Sequence, residues 1–137
     1  MKIKVPTVEN VIQTNKYVCN ENEQQSQLLD RGKIESALCT AFYPGSEPFE
    51  NGGVAKLAGA LCFYLTKTHA FLDGNKRTAT LSAVLFMNTN GWDLIYPEND
   101  EVEFTELAKI INQATASEIT KDQLIDWFEN HKIVLEN

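Results

Sequence analysis

The run His69-Ala70-Phe71-Leu72-Asp73-Gly74-Asn75-Lys76-Arg77-Thr78 places a base, a carboxylate, a glycine–asparagine turn and two cations within ten residues. Those types suit phosphate chemistry. Imidazole titrates near neutral pH, so His69 could take the proton of an attacking hydroxyl supplied by a substrate. Asp73 offers the hard oxygen that magnesium prefers when it shares coordination with phosphate oxygens and water. Gly74 permits a backbone conformation that a side chain hinders, and Asn75 tolerates a tight turn and can donate a side-chain hydrogen bond. Lys76 adds a compact positive charge, and Arg77 a fork that fits two phosphate oxygens. A polyphosphate with its magnesium fits the set.

Taken singly, each residue has a plainer reading. His69 would be a helix-end histidine bonded to a carbonyl, Asp73-Gly74 an ordinary turn, Lys76 and Arg77 exposed cations, and Phe71 core. Only their joint spacing argues for chemistry.

The flanking elements must hold that spacing. Val54 to Thr68 is strongly apolar, with Leu57, Leu61, Tyr64 and Leu65 on one face and small Ala58, Gly59 and Ala60 allowing close packing, which predicts a central helix closed by His69. Asn75-Lys76-Arg77 would open the next helix, where free N–H groups and the dipole favour an anion. Thr78 to Asn90 is apolar on most sides and should be buried, with Asn90-Gly91 as its stop.

A first helix is expected from an N-cap at Thr7, with Val8, Val11, Ile12, Asn15 and Val18 on one face. Asn20 to Gln27 is wholly polar and reads as an exposed connection. A second helix is expected over Leu28 to Phe42, with Leu29, Ile34, Leu38 and Ala41 inward. Tyr43 to Gly53 holds two prolines and three glycines and reads as a long loop or short hairpin. Trp92 to Pro97 is extended in character. Glu101 to Ala116 is amphipathic through Phe104, Leu107, Ala108 and Ile111, and Thr120 should cap a last helix running to Ile133. The expectation is an all-α, compact bundle of about six helices with almost no strand, forming a single domain over residues 1–137.

A chain of 137 residues, 43% hydrophobic and 23% charged, has the balance of one globular domain. Its net charge of −7 is uneven, because residues 98–137 hold ten acidic and three basic side chains while the remainder balances. So acidic a chain argues against direct nucleic-acid binding, which draws on cations that neutralise phosphates. The acidic end reads as a solvated helical face. No apolar run approaches the roughly 18 residues of a membrane span, and Met1 to Pro6 lacks the apolar stretch of a secretion signal, so a cytoplasmic protein is expected. Cys19, Cys39 and Cys62 lack metal-ligand spacing and are expected as reduced thiols, with Cys39 and Cys62 in the core.

In order and spacing, His69, Phe71, Asp73, Gly74, Asn75 and Arg77 resemble the signature of the Fic/Doc family. Arg31 to Leu38 and Asn90-Gly91-Trp92 also resemble elements that flank it in Doc-like members, so the likeness spans about residues 5–130. It implies a compact helical bundle with His69 as general base, Asp73 as the Mg2+ ligand, Gly74, Asn75, Lys76 and Arg77 as the phosphate-binding turn, and ATP as substrate. In the AMP-transferring branch the turn reads Gly-Asn-Gly-Arg with a second arginine three residues later, whereas Lys76 and Thr80 occupy those places here. Asn75-Lys76-Arg77-Thr78 is instead similar to the Doc (death-on-curing) branch, toxins of toxin–antitoxin pairs that bind ATP reversed.

That branch implies phosphate transfer to a Ser or Thr hydroxyl of a protein target such as a translation elongation factor, with restraint by a Phd-type antitoxin. Ala70 stands where the family commonly has proline. The family's target-binding flap would fall in Tyr43 to Gly53, with Phe49 as candidate anchor. Ser46 to Glu50-Asn51 matches an inhibitory string found in some members, but Pro48 opposes the helix it needs. Two other functions stay open at this level: nucleotidyl (AMP) transfer to a protein hydroxyl, and a catalytically silent binding module, against which the intact His69, Asp73, Asn75 and Arg77 argue.

Overall fold

A computed structural model describes residues 2–43, 45, 52–96 and 105–136. Phe49, the Ser46 to Asn51 string, Pro97 and residues 101–104 fall outside them. Among the described residues there are six helices: α1 (Val8–Glu21), α2 (Arg31–Phe42), α3 (Val54–Thr68), α4 (Asn75–Thr89), α5 (Glu106–Thr115) and α6 (Lys121–Asn130). Two three-residue strands, β1 (Trp92–Leu94) and β2 (Lys132–Val134), pair antiparallel with Asp93 opposite Ile133. The all-α expectation holds, with this small sheet as its one addition.

Side-chain caps set several helix starts. Thr7 accepts from the Asn10 N–H while the Asn10 side chain accepts from the Thr7 N–H, a reciprocal box that Thr120 and Gln123 repeat at α6. Thr105 caps α5 through the Ala108 N–H.

α3 is the axis of the bundle, packing on α2, α4, α5 and α6, while α1 lies on α4 and α2. Leu57, Leu61, Phe42, Ile111, Leu124 and Phe128 are completely or almost completely buried there, and Phe42 meets Phe86 edge-on at 5.0 Å. Truncating such a leucine to alanine costs about 2–5 kcal/mol. Gly59 lets α6 approach, since a Cβ at that position would lie 2.8 Å from Ile125 Cα. No helix among the described residues is long and apolar enough to cross a membrane.

Four expectations are corrected. α2 begins at Arg31 rather than Leu28, and Leu29 is exposed rather than inward, because both Leu28 and Leu29 are drawn onto the loop after α3. α6 stops at Asn130, freeing residues 132–134 to pair with β1. Cys39 is exposed, while Cys19 and Cys62 are the buried thiols. Leu85 of α4 is exposed, so that helix is buried on fewer sides than its composition suggested.

Candidate active site

The loop between α3 and α4 is shaped by two left-handed residues. His69 closes α3 at φ 51°, and Gly74 precedes α4 at φ 77°. Glycine is needed at the second place, because a Cβ there would meet Cys19 Sγ at 3.0 Å and both Asn15 Nδ2 and Val18 Cγ2 at 3.3 Å. The first bond of α4 runs from the Thr78 N–H to Gly74 O at 2.8 Å. The N–H groups of Asn75, Lys76 and Arg77 therefore have no partner within the helix and carry its positive end.

Between these turning points the chain is bolted from three directions. Residues 27–30 run antiparallel to it: Leu28 bridges Phe71, Leu72 N–H donates to Gln27 O, and the N–H groups of Leu29 and Asp30 both donate to Ala70 O. Phe71 is buried in the core, as expected, and its backbone is held by Asn75. From the other side, α1 supplies Asn15, whose amide donates to Asp73 O at 2.9 Å and Thr78 Oγ1 at 3.1 Å. The Asp73 carboxylate accepts from the Gln25 N–H at 3.2 Å.

His69, Asp73, Gly74, Asn75, Lys76 and Arg77 all line one open cleft of about 980 Å³. His69, Lys76 and Arg77 are exposed, and Asp73 is half-buried. The facing wall is α5, with Leu107, Ala108, Ile111, Asn112 and Thr115, and Tyr96 joins the lining. That wall is fastened at both ends. Thr115 shares a hydrogen bond with Thr66 of α3 at 2.8 Å and its carbonyl accepts from Lys67, while Glu106 accepts from Trp127 Nε1 and lies 3.3 Å from His131 Nε2. Lys76 Nζ spans the cleft to Asn112 Oδ1 at 3.2 Å.

His69, Asp73, Gly74, Asn75, Lys76 and Arg77 thus face one space while Phe71 anchors the loop in the core, with cations and unpaired N–H groups on one wall and a mainly apolar surface opposite. An anion with an apolar appendage fits this arrangement. Among the described residues that line the cleft Asp73 is the one carboxylate, so it would be the protein's ligand for a cation here. A single carboxylate completed by water and phosphate oxygens is a donor set magnesium accepts.

Sequence reasoning missed the supports. Asn15 was placed on the inward face of α1, and its signal was an amide among Val8, Val11, Ile12 and Val18. Gln25 acts through its backbone and carried no signal. Asn112 could be found only once α5 was seen opposite α4.

The family model described as Fic/DOC family matches residues 6–87, more than half of the chain, from the start of α1 to near the end of α4. Among curated proteins nothing matches.

Proposed function

The chain belongs to the Fic/DOC family, whose members are usually protein-modifying transferases that typically use ATP and a divalent metal, and on that premise we propose a Doc-like kinase acting on a protein hydroxyl. The observation that carries it is the shared cleft: a histidine at its mouth, a carboxylate beside the open first turn of α4, and Lys76 and Arg77 on that turn. Lys76 and Thr80, in place of the glycine and second arginine of AMP-transferring members, favour the γ- over the α-phosphate.

In this reading the N–H groups of Asn75, Lys76 and Arg77 and the two cations receive the polyphosphate of ATP. His69 takes the proton as a Ser or Thr oxygen of the target bonds to the γ-phosphorus, and the bond from that phosphorus to the β-bridging oxygen breaks, releasing ADP. Asp73 would hold Mg2+, which neutralises phosphate charge when bound. Positioning and electrostatics thus supply most of the catalysis, as phosphoryl transfer allows. A translation factor as target and a Phd-type antitoxin as restraint rest on the Doc-like turn alone.

The test supplies ATP labelled at the α or the γ phosphate, with magnesium, candidate target proteins and His69→Ala as control. Label from γ that depends on His69 is expected. Label from α alone would replace the kinase with an AMP transferase, and no His69-dependent label from either would favour the silent module.

A further inference from the structure

Asn15 is completely buried on the inward face of α1, among Val11, Thr14, Val18 and Cys19, and Thr14 satisfies its hydroxyl within the helix on Asn10 O. A leucine would satisfy that face at lower desolvation cost, so the amide calls for a reason. It has three partners. Its two N–H donors reach Asp73 O and Thr78 Oγ1, and its oxygen accepts from Ser26 Oγ at 2.7 Å. The residue beside Ser26 is Gln25, whose N–H meets the Asp73 carboxylate. A closed circuit results: Asn15 holds the Asp73 main chain directly, and through Ser26 and Gln25 it holds the segment that touches the Asp73 side chain.

The geometry points to Asn15 as a positioning residue for Asp73 and for the anion-binding turn, an inference that rests on the phosphate-transfer reading. The peptide after Asp73 is trans and planar, so pinning its carbonyl on α1 turns the Gly74 N–H away from α1. Gly74 lines the cleft, as does the Asp73 carboxylate. The second donor of Asn15 fixes Thr78, whose own N–H makes the first bond of α4. One buried amide therefore sets both the bearing of the carboxylate and the start of the helix that offers its N–H groups.

Asn15→Leu keeps the branched outline and the number of heavy atoms and removes all three bonds, and Ser26→Ala, at an exposed position, removes one. Two readouts apply to each variant and to the unaltered chain. Without ligand, hydrogen exchange at the Leu72 and Thr78 amides should quicken in Asn15→Leu, and less in Ser26→Ala. With ATP, the Mg2+ concentration at half-maximal nucleotide binding should rise about 10-fold in Asn15→Leu, the usual scale for groups that orient a metal ligand. A purely structural role would lower the melting temperature and leave the Mg2+ midpoint unchanged, and that result overturns the inference. So does unchanged amide exchange. Should Asn15→Leu lack a cooperative melt, Ser26→Ala decides on the same two readouts. If the unaltered chain binds no Mg–ATP and transfers no label, the proposed function falls, and amide exchange alone judges whether Asn15 positions the turn.

Discussion

Asn75 grips the backbone of Phe71 in both directions: its Nδ2 donates to Phe71 O at 2.9 Å, and its Oδ1 accepts from the Phe71 N–H at 3.1 Å. The side chain is thereby spent on the loop, and what Asn75 offers an anion is its backbone N–H. Asn75→Ala would leave both main-chain groups of a buried residue unpaired. A loss of about 1–3 kcal/mol in urea unfolding is expected. Asn75→Asp keeps the acceptor and should lose less. Unchanged stability in Asn75→Ala would mean that the clamp contributes nothing.

The Lys76–Asn112 hydrogen bond crosses the cleft where an anion would enter. Asn112→Asp places a negative charge beside that ammonium with little change of shape. At low salt it should weaken nucleotide binding about 5- to 10-fold, and the effect should shrink as ionic strength rises, because charges this exposed are screened. Titration calorimetry at two salt concentrations reads both. A salt-independent loss would point to altered packing of α5 instead.

Local signals carried much of the fold. Thr7 and Thr120 cap where their chemistry places them, Val54 to Thr68 forms one helix, and Asn75 opens the next. What escaped detection depends on distant partners. Leu28 to Asp30 suits a helix, yet the Leu29 and Asp30 N–H groups find Ala70 O, some forty residues on, before they can enter one. Likewise Lys132 to Val134 continues the pattern of α6 until β1 offers its edge. The motif residues were legible because their chemistry is local in sequence. Asn15 was not, because its purpose lies 58 positions away at Asp73.

The thiols should separate by burial. Burial pushes the Cys62 thiol up to about 12, and Cys19 is raised by burial with the charge of Asp73 adding to it. A raised pKa leaves little thiolate to react at pH 8, whereas Cys39 is exposed. Iodoacetamide on the native protein should therefore modify Cys39 first, as mass spectrometry of tryptic peptides would show, and all three only in denaturant. Prompt labelling of Cys19 would mean that α1 lifts from the loop.

Gly59 tests the packing that holds α3 against α6. Alanine is the better helix former by about 1 kcal/mol, but its Cβ would lie 2.8 Å from the Ile125 backbone, and overpacking of that kind costs about 1–3 kcal/mol. Backbone cannot rotate away as a side-chain tip can, so Gly59→Ala should be net destabilising in thermal melts. A higher melting temperature would show that α6 can yield.

His69 sits in the left-handed region at φ 51°, where glycine is the usual helix terminator and a side chain carries strain. Nothing in the fold demands histidine there: the residue is exposed, and the loop is held through its neighbours Ala70 and Phe71. Replacing it with glycine should relieve the strain, offset in part by a freer unfolded chain, for a net gain of about 0.5–1 kcal/mol. If His69 is the base, the same substitution should abolish transfer of label. A variant more stable yet inactive would mean that histidine is kept for chemistry at the expense of stability, the pattern expected at a working site. Lower stability with activity retained would make His69 a structural cap and send the search for the base elsewhere in the cleft.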